Sequence, residues 1–162
     1  MAYNTFTAQA ETKLDNKCRI VIPAIYREGL GEEFKIVLGI EKCLYIMENK
    51  MFDSISRQIS KLPLNLFTKL ARRFNAFSFS AKTDKQGRVV LPPQLRKALG
   101  LEIGETIVLA GMGPYIEVWN DSEFNNVVEL SAEERDILMS YMKFDYDESD
   151  EEDSGEEDSD EV

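Results

Sequence analysis

The chain of 162 residues has no histidine, two cysteines, one tryptophan and no long uninterrupted hydrophobic run. Each shortage closes off a class of function. Without histidine there is no His-dependent triad, no imidazole general base and no His metal site. The two thiols, Cys18 and Cys43, read as inert fillers rather than a disulfide, because the expected compartment is reducing. That compartment is the cytoplasm. No apolar stretch approaches the roughly 20 residues that cross a bilayer, and the opening MAYNTFTAQAETK has neither a basic nor an apolar signal region. A Walker lysine loop, a G-x-G-x-x-G, a Cys-x-x-Cys and a G-x-S-x-G are all missing. The expectation is a protein that is not an enzyme, with no cofactor, no metal site, no membrane partner and no small-molecule ligand.

Basic charge is also scarce, but unevenly so. The net charge is -11, yet the eighteen residues from Asp145 onward, DYDESDEEDSGEEDSDEV, hold twelve of the thirty acids and no Lys or Arg. The preceding residues therefore carry 18 acids against 19 bases, close to neutrality. Like-charge repulsion and a shortage of apolar residues leave the tail unable to offset its ordering entropy, so 145–162 reads as a disordered acidic tail.

What is present is a repeat. LDNKCRIVIP at 14–23 returns as TDKQGRVVLP at 83–92. Aligning Asp15 to Gly31 with Asp84 to Gly100 gives seven identities in seventeen positions, among them both Asp, both Arg of the motif, both Pro and both closing Gly. With three residues gained in the second copy, IVLGIEKCLYIM then aligns with VLAGMGPYIEVW, matching Gly39 to Gly111. Each copy reads as an extended segment (5–14 and 77–83), a polar turn, a short β-branched strand and a short helix, followed by a hairpin. Pro23 and Pro92 suit the first helical position, and Gly31 and Gly100 the helix end. Helical stretches follow each copy. Met51, Ile55, Ile59 and Leu62, then Leu66, Leu70, Phe74 and Phe77, recur at helical spacing, and Ser131 with Glu134 has the spacing of a capping box. A unit of about 45 residues buries too little alone, so each copy is expected to share a core with its twin or with another chain. The expected organisation is a first module at 9–52, a helical connector at 53–79, a second module at 80–124, a helical segment at 125–144 and the tail at 145–162.

Asp15 with Arg19, and Asp84 with Arg88, bracket the two turns, which also carry Lys17 and Lys85. Two readings stand side by side. Either Asp and Arg close a local salt bridge that shapes the turn, or the Asp orients Arg and Lys toward phosphates and base edges. Arg suits that second task because its planar fork matches phosphate oxygens and the guanine O6/N7 pair. Lys13 and Lys82 just before the turns, and Arg27 and Arg96 on the short helices, are further candidates for the same DNA-binding surface.

The sequence LD-x-K-x-R-I-x-I-P, then D-x-x-G-R-V-x-L-P-x-x-L-R, with CL and EVW closing the copies, resembles the MraZ family from about Thr5 to Phe144. The resemblance implies an α+β fold of tandem AbrB-like swapped-hairpin modules around a pseudo-two-fold β core, flanked by helices. It implies a ring-shaped homo-oligomer associated with the nucleoid. Its partner would be double-stranded DNA, bound as a sequence-specific transcriptional regulator, read here as a repressor, at promoter repeats of the division and cell wall gene cluster that includes its own gene. The Asp-x-x-x-Arg turns would face DNA, which transfers to Asp15, Arg19, Asp84 and Arg88. A scaffold ring whose tail recruits basic partners is the alternative. Two departures from the family pattern carry expectations of their own. Cys18 stands where the second copy has Gly87; if the position needs a positive φ, Cys costs about 1 kcal/mol and the first turn is expected to differ in shape. The acidic tail, either a solubility device or a tethered competitor of DNA for the basic turns, would in the second case sharpen site choice.

Overall fold

The computed structural model describes residues 4–143; the acidic tail lies outside the described residues. Residues up to Asn126 form one compact unit, and the segment from Val127 onward is a second. In the first unit, Gln9–Lys13 (β1), Arg19–Val21 (β2), Ala24–Leu30 (α1), Phe34–Leu38 (β3) and Leu44–Glu48 (β4) make up the first copy. Asn49–Ser60 (α2) and Leu64–Phe74 (α3) connect it to Ser78–Ala81 (β5), Arg88–Val90 (β6), Pro93–Leu99 (α4), Thr106–Gly111 (β7) and Ile116–Asn120 (β8). Asp121–Val128 (α5) follows, and Ala132–Tyr141 (α6) lies in the second unit.

The six longer strands form an antiparallel sheet in the order β1-β7-β8-β4-β3-β5. The two copies exchange their first strands: β1 pairs with β7 of the second copy, and β5 with β3 of the first. β4 and β8 meet at the centre, with Leu44 opposite Val118 and Ile46 opposite Ile116, so a pseudo-two-fold passes through the Tyr45–Glu117 pair. The remaining strands, β2 and β6, form a separate two-stranded ribbon, again one strand from each copy. Swapping answers the burial problem of a 45-residue unit, since each copy completes the other's sheet.

Alternation along the strands sorts the core into two layers. Phe34, Ile36 and Leu38 of β3, Leu44 and Ile46 of β4, and Ile107 and Leu109 of β7 face one side, where they pack with Ile20 and Val89 of the ribbon and Tyr26 and Leu95 of the short helices. Val37 and Met47 face the other side and meet Met51, Ile59 and Phe74 of the connector. The connector's stripes thus lie on the chain's own sheet, except that Leu62 and Leu66 are exposed.

Register corrects the alignment of the hairpins. Phe34 opposes Glu48 as Ile107 opposes Asn120, and Leu38 opposes Leu44 as Gly111 opposes Ile116. Gly111 therefore occupies the place of Leu38, not of Gly39. The second copy gains four residues before β7 and loses one in its hairpin loop. The two glycines answer different crowding: a Cβ on Gly39 would lie 2.7 Å from Cys43 Sγ, and one on Gly111 2.5 Å from the backbone of Phe6 and Thr7. A smaller correction concerns the prolines. Pro23 and Pro92 sit one residue before the helices, with extended ψ values of 152° and 140°, and Pro93 takes the first helical position of α4. Gly31 (φ 77°) and Gly100 (φ 64°) end the helices with the positive φ that a glycine adopts freely.

In the second unit, Ser131 Oγ accepts from the Glu134 amide at 3.1 Å and Glu134 Oε1 from the Ser131 amide at 3.2 Å, the reciprocal capping box expected from their spacing.

Strand exchange makes a fragment prediction. Residues 4–75 and residues 76–126, produced separately, are expected to show no cooperative unfolding as monomers by circular dichroism, whereas an equimolar mixture regains it. Cooperative unfolding of either fragment as a monomer contradicts the interlocked core.

Candidate nucleic-acid interface

The two Asp-x-x-x-Arg turns are built alike, bond for bond. Asp15 Oδ1 accepts from the amides of Lys17 (2.9 Å) and Arg19 (2.8 Å), and Asp84 Oδ1 accepts from those of Gln86 (2.9 Å) and Arg88 (2.9 Å). The other carboxylate oxygen takes Arg Nε at 2.8 Å in both copies. Backbone bonds close the loop: the Cys18 amide reaches Asp15 O at 2.9 Å, and the Gly87 amide reaches Asp84 O at 3.0 Å. The amide of the motif Arg, more than any other group, holds each carboxyl below the usual carboxylate value; burial opposes this, and the Arg side chain and the second backbone amide add to the lowering. Both Asp are thus anions that fix their Arg.

Only Nε is engaged in that bond. Among the described residues, no partner meets the Nη groups of Arg19 or Arg88, so each fork keeps its two outer nitrogens for an acceptor. The two readings of the pair are therefore compatible, since a salt bridge that shapes the turn leaves the recognition edge of the guanidinium open.

The ribbon places both forks on one face. Arg19 opposes Val90, Ile20 opposes Val89 and Val21 opposes Arg88. Residues directly opposite share a face, so Arg19, Val21, Arg88 and Val90 point one way while Ile20 and Val89 point into the core. The two Arg positions stand two residues apart along the ribbon, about 7 Å. Val21 and Val90, 44% and 56% exposed, lie between and beside them. An exposed valine on each of two three-residue strands is unusual enough to mark a contact surface, and the repeat alone does not single the pair out. Their signal is alternation, with the middle residue of RIV and RVV inward and the third outward.

Each turn is pinned by the other copy. The Ile22 amide donates to Gly87 O at 2.7 Å, and the Leu91 amide donates to Cys18 O at 2.9 Å. The position does take a positive φ, 61° at Cys18 against 77° at Gly87. The expectation that its turn would change shape is corrected. The bond pattern is the same in both copies, because the Asp anchor and the cross-copy bond outweigh a left-handed cost of about 1 kcal/mol. The Cys18 side chain is half-buried and packs on the core.

The other candidate bases are placed differently from one another. Lys17 and Lys85 are exposed on the turns but not at equivalent positions, since Lys17 matches Gln86 and Lys85 matches Asn16. Lys13 ends β1 and is exposed. Lys82 is exposed and pairs with Glu33 at 3.3 Å. Arg27 and Arg96 are half-buried and turned toward the protein: Arg96 Nε donates to Leu91 O at 3.1 Å, and the Arg27 guanidinium lies so close to Gly87 that a Cβ there would stand 2.8 Å from Nη1. Arg27 Nε is buried without a hydrogen-bond partner.

A duplicated α+β protein with a swapped core and two anion-seeking Arg forks on one ribbon face is the class this geometry defines. Comparison narrows it: the family model for the MraZ protein matches residues 5–77 and again 76–137. The chain belongs to the MraZ family. It is 34% identical over 137 residues to "Transcriptional regulator MraZ" of Desulforamulus reducens, covering 80% of this chain and 93% of that protein. The proteins of the same name from Leuconostoc citreum and Carboxydothermus hydrogenoformans are 32% and 35% identical, covering 87% and 75% of this chain and 99% and 85% of theirs. A solution structure from Pyrococcus horikoshii is 23% identical, covers 68% of this chain and 94% of its own, and aligns with a TM-score of only 0.33.

The inequality of the two turns gives a stability prediction. Gly87→Ala meets both a positive φ and the Arg27 guanidinium and is expected to cost about 2 kcal/mol. Cys18→Ala keeps a conformation already paid for by an L-residue and is expected to cost under about 1 kcal/mol. Urea denaturation compares them; equal losses at the two sites contradict the packing of Arg27 on Gly87.

Proposed function

We propose that this chain is a DNA-binding transcription regulator, and that the outward face of the β2–β6 ribbon is the surface that meets double-stranded DNA. One observation carries the reading: Arg19 and Arg88, each fixed through Nε by its own Asp, present open forks side by side on one exposed face. Membership of a family whose relatives carry the name "Transcriptional regulator MraZ" supports it. A two-stranded ribbon fits the major groove, where Arg forks pair with guanine edges and apolar side chains such as Val21 and Val90 suit the thymine methyl. Lys17 and Lys85 on the turns and Lys13 beside them supply phosphate contacts that fix register without reading sequence. Lys82, tied to Glu33, and Arg27 and Arg96, turned inward, are assigned to shaping the site rather than to touching bases.

The finer reading follows the family resemblance. The protein acts in the cytoplasm, at the nucleoid, as a repressor of the division and cell wall gene cluster that includes its own promoter. It does so without enzymatic activity, as a homo-oligomeric ring. Near-neutral charge in residues 1–144 explains why assembly matters. A single subunit contributes few phosphate contacts, and linking many subunits multiplies weak ones over repeated sites.

Fluorescence anisotropy with a duplex from upstream of the protein's own gene tests this. Arg19→Ala and Arg88→Ala are each expected to weaken binding by about 1–3 kcal/mol and to relax sequence preference, and Lys17→Ala to weaken all duplexes alike with a shallower salt slope. Unchanged affinity in both Arg variants rules out the ribbon face as the DNA contact.

A further inference from the structure

The connector and the C-terminal helices carry features that DNA binding does not use. Between Asn49 and Phe74 the connector has six bases against one acid, and from Asp121 to Lys143 the chain has six acids against two bases. Both regions also carry apolar surface. Beside α2 and α3 a cleft of about 200 Å³ opens onto the sheet, lined by Tyr45, Ile55, Leu70 and Tyr115, with Ile40, 69% exposed, at its rim. Arg73 closes one wall by donating to Gly39 O and Glu41 O, and Lys69 and Arg72 are exposed on the same helix.

The complementary piece is α6. Ile137, Leu138 and Tyr141 recur at helical spacing, Met142 follows just past the helix, and all four are exposed, Tyr141 by 82%. Glu133 and Asp136 add acidic charge, and Ser131 and Glu134 cap the first turn. A ten-residue helix is marginal in water unless an apolar face is packed. An acidic helix with an apolar stripe and a basic helical pair beside an apolar cleft match in both charge and character, in the manner of a helix laid into a groove.

We propose that α6 of one subunit docks in the cleft beside α2 and α3 of a second copy of this chain, with its acidic residues against Lys69 and Arg72. The two surfaces are different patches of the same chain, so the contact is heterologous. Repeated from subunit to subunit, such a contact closes a ring when the rotation allows. The inference rests on the homo-oligomer proposed above and names the surfaces that form it.

Sedimentation of the full chain tests it with two exposed-site variants. Leu138→Asp on α6 and Ile40→Asp at the cleft rim are each expected to weaken the subunit contact at least tenfold and lower the mass of the assembly. Because each variant keeps the surface the other has lost, mixing them restores one contact and yields a species that contains both. A charge exchange gives a second arm. Lys69→Glu with Arg72→Glu dissociates the assembly, and adding Glu133→Lys with Asp136→Lys to the same chain restores it. An oligomeric parent whose mass none of these changes alter overturns the docking alone. A lower melting temperature with unchanged mass does the same, since it places α6 on its own chain. A monomeric parent overturns both the docking and the ring.

Discussion

Two backbone hydrogen bonds, Ile22 to Gly87 and Leu91 to Cys18, join the start of each copy's short helix to the motif turn of the other. They lie at the two ends of a ribbon only three residues long, whose middle residues, Ile20 and Val89, are buried under the sheet. A strand that short has little intrinsic stability. It persists because both of its partners are supplied by the exchanged core, and because both turns would otherwise leave buried carbonyls and amides unpaired. From this constraint come the common face of Arg19 and Arg88, their fixed spacing and the exposure of Val21 and Val90.

The anionic Asp converts that scaffold into a recognition surface. Its carboxylate is consumed by two backbone amides and one Arg Nε, which stiffens the turn and sets the plane of the guanidinium while leaving the outer nitrogens open. An Arg held in this way loses less side-chain entropy when it meets a base or phosphate than a free one does. The pair is therefore worth more as preorganisation than as an exposed salt bridge, which on its own stabilises a fold very little. The same logic explains the inward Arg27, which packs on the Gly87 turn, and Arg96, which ties its short helix to the Leu91 carbonyl. It also explains why Cys18 is accommodated at a left-handed position: the anchors around it determine the backbone, and the side chain follows.

Local structure was largely legible in the sequence, because each element follows from nearby residues: β-branched runs for β2 and β6, glycines that end α1 and α4, a capping box for α6. The need for a shared core was legible from size. The exchange of β1 and β5 between copies was legible only through the family resemblance, which implied swapped hairpins, since strand pairing is decided by packing that no local pattern records. The false match of Gly39 with Gly111 arose because a one-residue difference in loop length is invisible to alignment, while the pleat registers it as a change of face. In the site, the repeated Asp and Arg were found by identity. Val21 and Val90 were missed because apolar residues in a short strand read as core, and the inward turn of Arg27 and Arg96 because a basic residue on a short helix reads as surface.

If the ribbon is what holds both turns in one surface, its cross-copy bonds must break only when the whole unit unfolds. Native-state hydrogen exchange of the Ile22 and Leu91 amides measures this directly. The account predicts that both exchange with an opening free energy equal to that of global unfolding. Exchange of either amide through a much cheaper local opening would show that the turns move independently, and a single preorganised face would then not exist.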